Sequence, residues 1–312
     1  TVDALWQLYL FVGVLGGVGM SSFYLLSATT VARWFDERRG LALALVLVGF
    51  NLGYILGGPL AAWLIAEVGW RAAYALLGGG CGTFTLLAAL SVRLPRPSEA
   101  AAFRLPSVLT GAADLPHRGG ATLRDALADP RQWCLNVAWL LLGGLAFMIT
   151  VHIVPFARDQ GVSLAGASLA LTAYGIGSVV GRVAAGAMCD RIGTVTTMRI
   201  AYVVQALALL TLLWLPSREA LFGSLAAFGA GFAAADTMIA KVIPDVFGVR
   251  AIGAIMGVLT LGWRSGAALG PAAAGFLYDL SGSYAVPFGA APGVVLVSWA
   301  LFAVATSGRG RR

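Results

Sequence analysis

An all-α membrane protein of about nine spanning helices is the fold class the sequence predicts, and three observations predict it. Apolar residues fill 59% of the 312 positions and charged residues only 11%, under half the roughly 25% charge of a soluble domain. The apolar residues gather in runs of the roughly 20 residues that one bilayer crossing takes. Lys and Arg then concentrate in alternate breaks between those runs.

The first run, 4–32, ends at the charged string W-F-D-E-R-R. The second, 41–66, ends at Glu67 and Gly69, and the third, 71–92, at Arg93 and Pro95. The fourth, 132–155, opens behind Asp129 and Pro130; the fifth, 165–188, stops at Asp190 and Arg191; the sixth, 196–215, stops at Pro216. The seventh, 219–243, closes on Pro244, the eighth, 251–278, lies between Arg250 and Asp279, and the ninth, 286–306, precedes a basic tail. Charges, Gly and Pro are the expected punctuation between helices. Helices are required because open sheets leave backbone groups unpaired in lipid, and these runs lack the alternation of barrel strands.

The cytoplasmic side follows from charge. One alternating set of connections holds 16 of the 21 Lys and Arg, among them Arg33, Arg38, Arg39, Arg191, Lys241, Arg250 and Arg312; the other set holds three, Arg71, Arg158 and Arg218; Arg182 and Arg264 fall inside spans. The first set is assigned to the cytoplasm of an inner or plasma membrane, with the C-terminus inside. The net charge of +7 is thereby explained by topology, and no nucleic-acid partner is predicted. Cys81, Cys134 and Cys189 have unrelated spacings, so neither a disulfide framework nor a metal or cofactor set is expected.

An internal repeat organises the chain. At a constant offset of 212 residues, Phe35 falls on Phe247, Arg38 on Arg250, Gly58 on Gly270 and Pro59 on Pro271. Parallel repeats of this kind build transporters whose path runs between two helical halves. Spans one to three then repeat spans seven to nine, and counterparts of spans four to six, about 85 residues, are expected ahead of residue 1. Residues 1–93 are read as a shortened first half, 94–130 as a cytoplasmic linker rich in Pro and Arg, and 131–312 as a six-helix second half. Thr122 and Asp125 have capping-box spacing, which predicts a short helix leading into the fourth span.

These strings resemble a known family. R-W-F-D-E-R-R-G-L-A-L-A at 33–44 with G-P-L-A-A-W-L and G-W-R at 69–71 is similar to the fourth and fifth helices of major facilitator transporters, closest to the monocarboxylate-transporter and oxalate–formate-antiporter branches. G-R-V-A-A-G-A-M-C-D-R-I-G at 181–193 resembles the eighth helix and gating-loop signature, here Gly186, Asp190, Arg191 and Gly193. Thr194 and Val195 stand where that signature continues with basic residues, which predicts a weaker gating charge network. P-D-V-F-G and G-P-A-A-A-G-F-L-Y-D resemble the tenth-to-eleventh helix stretch. The resemblance implies a major facilitator fold with nine of twelve helices present.

Two arginines inside spans are the strongest candidates, since an intramembrane charge costs several kcal/mol unless it faces a cavity or finds a partner. Resemblance puts Arg182 on the position of the carboxylate-binding arginine of monocarboxylate transporters, with Ser178 replacing the acidic residue one turn earlier. Arg264 is adjacent to the lysine position of the oxalate–formate branch, which falls on Trp263. Asp236 is the acidic residue well inside a span; it reads either as a proton-binding carboxylate or as a fixed ion pair with Arg182 or Lys241. His152 reads either as a proton-sensitive residue near the outer mouth or as an interfacial histidine. Tyr24, Asn51, Gln205 and Trp263 read as path-lining residues or as packing contacts. Glycines such as Gly175, Gly177 and Gly181 read as close helix packing.

The predicted function is a secondary transporter of a small organic anion, a monocarboxylate or dicarboxylate, coupled to protons or to a counter-anion. Efflux of drugs or metabolites on the same fold is the alternative, and a membrane sensor or enzyme is the rival class. No catalytic constellation is present for an enzyme. The chain without upstream helices is not expected to transport.

Overall fold

Gly69 sits at φ 76° and ψ 161°, a backbone region open essentially to glycine alone, and there the longest helix breaks. In the computed structural model, which describes residues 4–21, 39–91, 120–214, 217–248 and 250–307, that helix is α3 (Arg39–Ser91). Its two arms carry the second and third predicted spans, so the G-W-R string marks a turn point inside one continuous stretch. Ahead of it lie α1 (Leu5–Leu8), a π-helical stretch (Tyr9–Leu15) and α2 (Gly16–Ser21). The rest of the first predicted span, including Tyr24, lies outside the described residues, as do the Arg33–Arg38 string and residues 92–119, which hold most of the predicted linker.

The capping box expected from Thr122 and Asp125 is formed. The Asp125 amide donates to Thr122 Oγ1 at 3.2 Å and the Thr122 amide to Asp125 Oδ2 at 2.9 Å, starting α4 (Leu123–Ala128). Asp129 then caps α5 (Pro130–Asp159), with Pro130 in its first turn where no amide is needed. The remaining helices are α6 (Leu164–Ile192), α7 (Thr194–Trp214), α8 (Arg218–Phe247), α9 (Ile252–Ser281) and α10 (Ala285–Thr306). Seven helices among the described residues are long and apolar enough to cross a membrane. The expectation of about nine differs because two predicted spans share α3 and the first is only partly described.

The chain divides into two compact units. One comprises 1–50 and 71–115, and its described helices are α1, α2 and parts of α3. The other comprises 51–70 and 116–312, and it holds the six helices α5–α10 with one stretch of α3. In this second unit α6 packs mainly on α8 and α5 on α9, while α7 lies against α8 and α10, and α10 returns to α5. Exchanging α5–α7 with α8–α10 maps this pattern onto itself, as two three-helix repeats of opposite orientation require.

Glycine makes the two principal interfaces possible. A Cβ on Gly177 or Gly181 would fall on the carbonyl oxygens of Ala226 and Ala230, and one on Gly266 or Gly270 on those of Leu140 and Gly144. Lipid offers no hydrophobic drive for helix association, so backbone-to-backbone approach of this kind supplies the dispersion contact that does. The Gly-Pro pairs of the sequence repeat both lie inside helices, Pro59 in α3 and Pro271 in α9, with Gly58 tight against Ser168 and Gly270 against Gly144.

Candidate substrate site

Because α6 and α8 run side by side, Arg182 and Asp236 are brought to the same level. Arg182 Nη2 donates to Asp236 Oδ2 at 2.7 Å, and Nη1 donates to Thr237 Oγ1 at 3.3 Å. Each residue is about 15 Å from the end of its helix, too deep for easy escape to the interface. The side chains keep 23% and 33% of their exposure, so the pair is partly buried. The Arg182 Nε is buried and has no hydrogen-bond partner. One of the guanidinium's donors is therefore left without an acceptor.

Ser178, one turn before Arg182, turns away from this work: its hydroxyl donates to the Tyr174 carbonyl at 2.8 Å. The acidic partner of Arg182 comes from α8 instead of from its own helix. Of the two arrangements open for Asp236, the structure has the pair with Arg182. Lys241 lies 3.7 Å from Asp190 and 3.4 Å from Cys189 Sγ.

Trp263 packs among Trp139, Phe147 and Phe232, with ring centroids 5.4, 6.3 and 5.5 Å away. Arg264, one position on, is exposed and has no ion pair among the described residues. Asn51 is buried, with its carbonyl against Gly175. Gln205 is buried too and donates to the Ala201 carbonyl at 3.2 Å. In the gating-loop string, Gly193 at φ 82° ends α6, and its amide donates to the Cys189 carbonyl. Asp190 and Arg191 are exposed, and Gly186 has open space around its Cα.

His152 is tied to two other helices. Its Nε2 is 3.0 Å from the Pro271 carbonyl and its Nδ1 is 3.1 Å from the Tyr284 hydroxyl. A carbonyl only accepts, so Nε2 carries a proton and donates to Pro271. Burial, then Tyr278, Asp159 and Asp279, raise the Tyr284 hydroxyl above its ordinary value.

Thr237, Tyr174 and Phe232 were missed by the sequence reading. Phe232 stands one helical turn before Asp236, a spacing that places both on one face of α8 and is legible in the sequence once Asp236 is singled out. Thr237 and Tyr174 gave no comparable signal.

The six helices α5–α10 form a bundle of two inverted triplets with an arginine–carboxylate pair inside it, an arrangement that resembles the repeats of transporter folds. Comparison with known proteins places the chain: the model of the Major Facilitator Superfamily matches residues 2–163 and 146–311, and the chain belongs to that superfamily. Similar curated proteins include monocarboxylate transporter 11 of Homo sapiens, 29% identical over 297 residues, covering 91% of this chain and 60% of that protein. Monocarboxylate transporter 13 of Bos taurus is 29% identical over 290 residues, covering 91% and 64%. The MFS-type transporter YhjX of Escherichia coli K12 is 24% identical over 270 residues, covering 85% and 64%. The chain thus spans under two thirds of the length of these relatives. Among solved structures, a bacterial homolog of the human lysosomal transporter Spinster, inward-facing and unoccupied, superposes with a TM-score of 0.53 at 15% identity, covering 90% of this chain and 72% of that one. That likeness shows the fold.

Proposed function

We propose that the chain moves a small organic anion across a cell membrane by alternating access, with Arg182 receiving the carboxylate and Asp236 carrying a coupled proton. The observation that carries this reading is the 2.7 Å contact between them inside the membrane span. An ionised Asp236 occupies the guanidinium. Protonation removes its charge, and the freed fork then favours an incoming carboxylate, which it can bind in bidentate geometry. Proton first and anion second is the order this arrangement favours. Release to the other side restores the internal pair, so the empty site returns without an uncompensated charge.

The similarity to monocarboxylate transporters supports an anion as cargo, and the basic side of the chain supports a cytoplasmic C-terminus. His152 is read as a tie among the ends of α5, α9 and α10 at the outer mouth. The two halves are read as 1–93 and 131–312 joined by 94–130. Exchange against a counter-anion would need no titrating carboxylate, and Asp236 favours protons over exchange. Uptake of labelled carboxylates into proteoliposomes, using protein expressed from its complete coding sequence, tests the reading. Uptake stimulated by an inward proton gradient and abolished by Arg182→Gln supports it; uptake of carboxylates indifferent to that substitution removes it.

A further inference from the structure

We propose that α5, α9 and α10 carry a site for one phospholipid of the outer leaflet, its acyl chain in an apolar groove and its primary ammonium headgroup beside Asp159. Two cavities carry the inference. The first, about 270 Å³, runs between α9 and α10 over α5 and is lined entirely by apolar residues, from Leu140 and Gly266 at one end to Met148, Leu277 and Pro287 at the other. The second, about 260 Å³, lies at the ends of α5, α7 and α10, and Asp159, Gln160, Ser283 and Tyr284 form its polar lining.

Length says what fills the groove. Gly266 is near the middle of α9, and Leu277 stands about 16 Å farther along that helix. This is the depth of one leaflet, half of the roughly 30 Å hydrocarbon core. A helix of a partner or of a second copy would cross the whole core, and the groove covers only half of it. Small residues make the concavity: Gly144 and Gly270 bring α5 and α9 together, and Ala273 and Ala290 form parts of the α9 and α10 walls. An acyl chain supplies the dispersion contacts that a void forfeits.

The polar end is built as well. One turn beyond Met148 and Pro287 stand His152 and Tyr284, joined at 3.1 Å, and the Tyr278 ring lies 4.4 Å from that of Tyr284. Rings with a polar tip belong at this depth, the membrane interface. Tyr284 also lines the second cavity, so a single turn of α10 separates the two. Asp159 follows Met148 and His152 on one face of α5, and none of the residues lining the second cavity is basic. A primary ammonium has three donors and no acceptor. The Asp159 carboxylate, the Gln160 side-chain carbonyl and the Ser283 hydroxyl supply acceptors, and the Phe156 and Tyr284 rings favour a cation beside them. Arg158, exposed in the same turn of α5, offers the phosphate a counter-charge. The quaternary ammonium of a choline headgroup has no proton to donate, and a phosphoglycerol headgroup brings only negative charge to an acidic rim.

Native mass spectrometry tests the proposal, with the complete protein in detergent titrated with dioleoyl phosphatidylethanolamine, phosphatidylcholine or phosphatidylglycerol. The first phosphatidylethanolamine is expected to bind about 10-fold more tightly than either other lipid, the worth of one hydrogen bond to a charge. Asp159→Asn should bring that ratio to about 1, while Asp159→Glu, which keeps the charge, should keep the preference. The ratio is taken within each variant, so reduced yield does not disguise it. Ala290→Phe fills the groove and should weaken the first phosphatidylethanolamine about 5-fold or more; Leu296→Phe, at an exposed position of α10 outside the groove, should leave it unchanged. Equal affinities for the three lipids in wild type, a preference that survives Asp159→Asn, or equal effects of the two phenylalanine substitutions would overturn the proposal.

Discussion

Arg182 of α6 and Asp236 of α8 meet at 2.7 Å across an interface in which Gly177 and Gly181 press on the backbone of Ala226 and Ala230. The close approach and the ion pair are one design. Bulkier residues at those glycines would separate the helices and pull the guanidinium away from the carboxylate. On the proposed reading, protonation and anion binding that break the pair would act directly on the α6–α8 contact.

Asp236→Asn mimics the protonated carboxylate, so it is expected to retain carboxylate binding and lose stimulation by a proton gradient. The ratio of uptake with and without the gradient should fall to about 1, since no titrating group remains on Arg182. A variant that keeps the wild-type ratio contradicts the assignment of the proton to Asp236.

Glycine packing makes a paired prediction. Gly266→Val would drive its side chain into the Leu140 carbonyl and should destabilise the bundle by about 1–3 kcal/mol or more, the usual range for overpacking. Gly289→Ala on α10, where nothing lies within 4 Å of a built Cβ, should be neutral or stabilising by up to about 1 kcal/mol. Thermal unfolding of both variants in detergent checks the contrast.

His152→Ala removes the contacts to Pro271 and Tyr284 and is expected to cost about 1–3 kcal/mol for two hydrogen bonds. Amide exchange should rise at the adjoining ends of α9 and α10 while α6–α8 protection stays unchanged. Equal loosening throughout the bundle would contradict the local tie.

The elbow before α5 predicts a pH dependence. Hydrogen bonds from Thr122 lower the Asp125 carboxyl, and the Arg131 guanidinium lowers that of Asp129. A carboxyl lowered in the folded state stabilises it fully above the ordinary carboxylate value, about 4, and loses that contribution as pH falls through the lowered value. Amide protection over 123–132 should accordingly be flat from pH 7 to about 5 and fall in stronger acid. Asp129→Ala should fray the start of α5 at neutral pH by about 1 kcal/mol, the worth of a cap.

Much of this was legible because membrane helices announce themselves: apolar runs set α5–α10 within a few residues, and the spacing of Thr122 and Asp125 set α4. The Gly-Pro repeat pointed to Gly58 and Gly270, which the structure places at tight helix contacts. What sequence could not supply was pairing between helices. Whether Asp236 faced Arg182 or Lys241 depends on the rotation of α8, and the apolar residues give that rotation little definition when lipid and protein interior are equally apolar. The break at Gly69 was legible, since Glu67 and Gly69 close the second predicted span and the backbone leaves helical geometry there.

Proton-driven anion movement through the Arg182–Asp236 pair is tested most directly by uptake of labelled benzoate into proteoliposomes with and without an inward proton gradient, comparing wild type, Arg182→Gln and Asp236→Asn. The account predicts gradient-stimulated uptake in wild type, loss of uptake with Arg182→Gln, and gradient-independent uptake with Asp236→Asn. Carboxylate uptake that stays gradient-stimulated in both variants would contradict it.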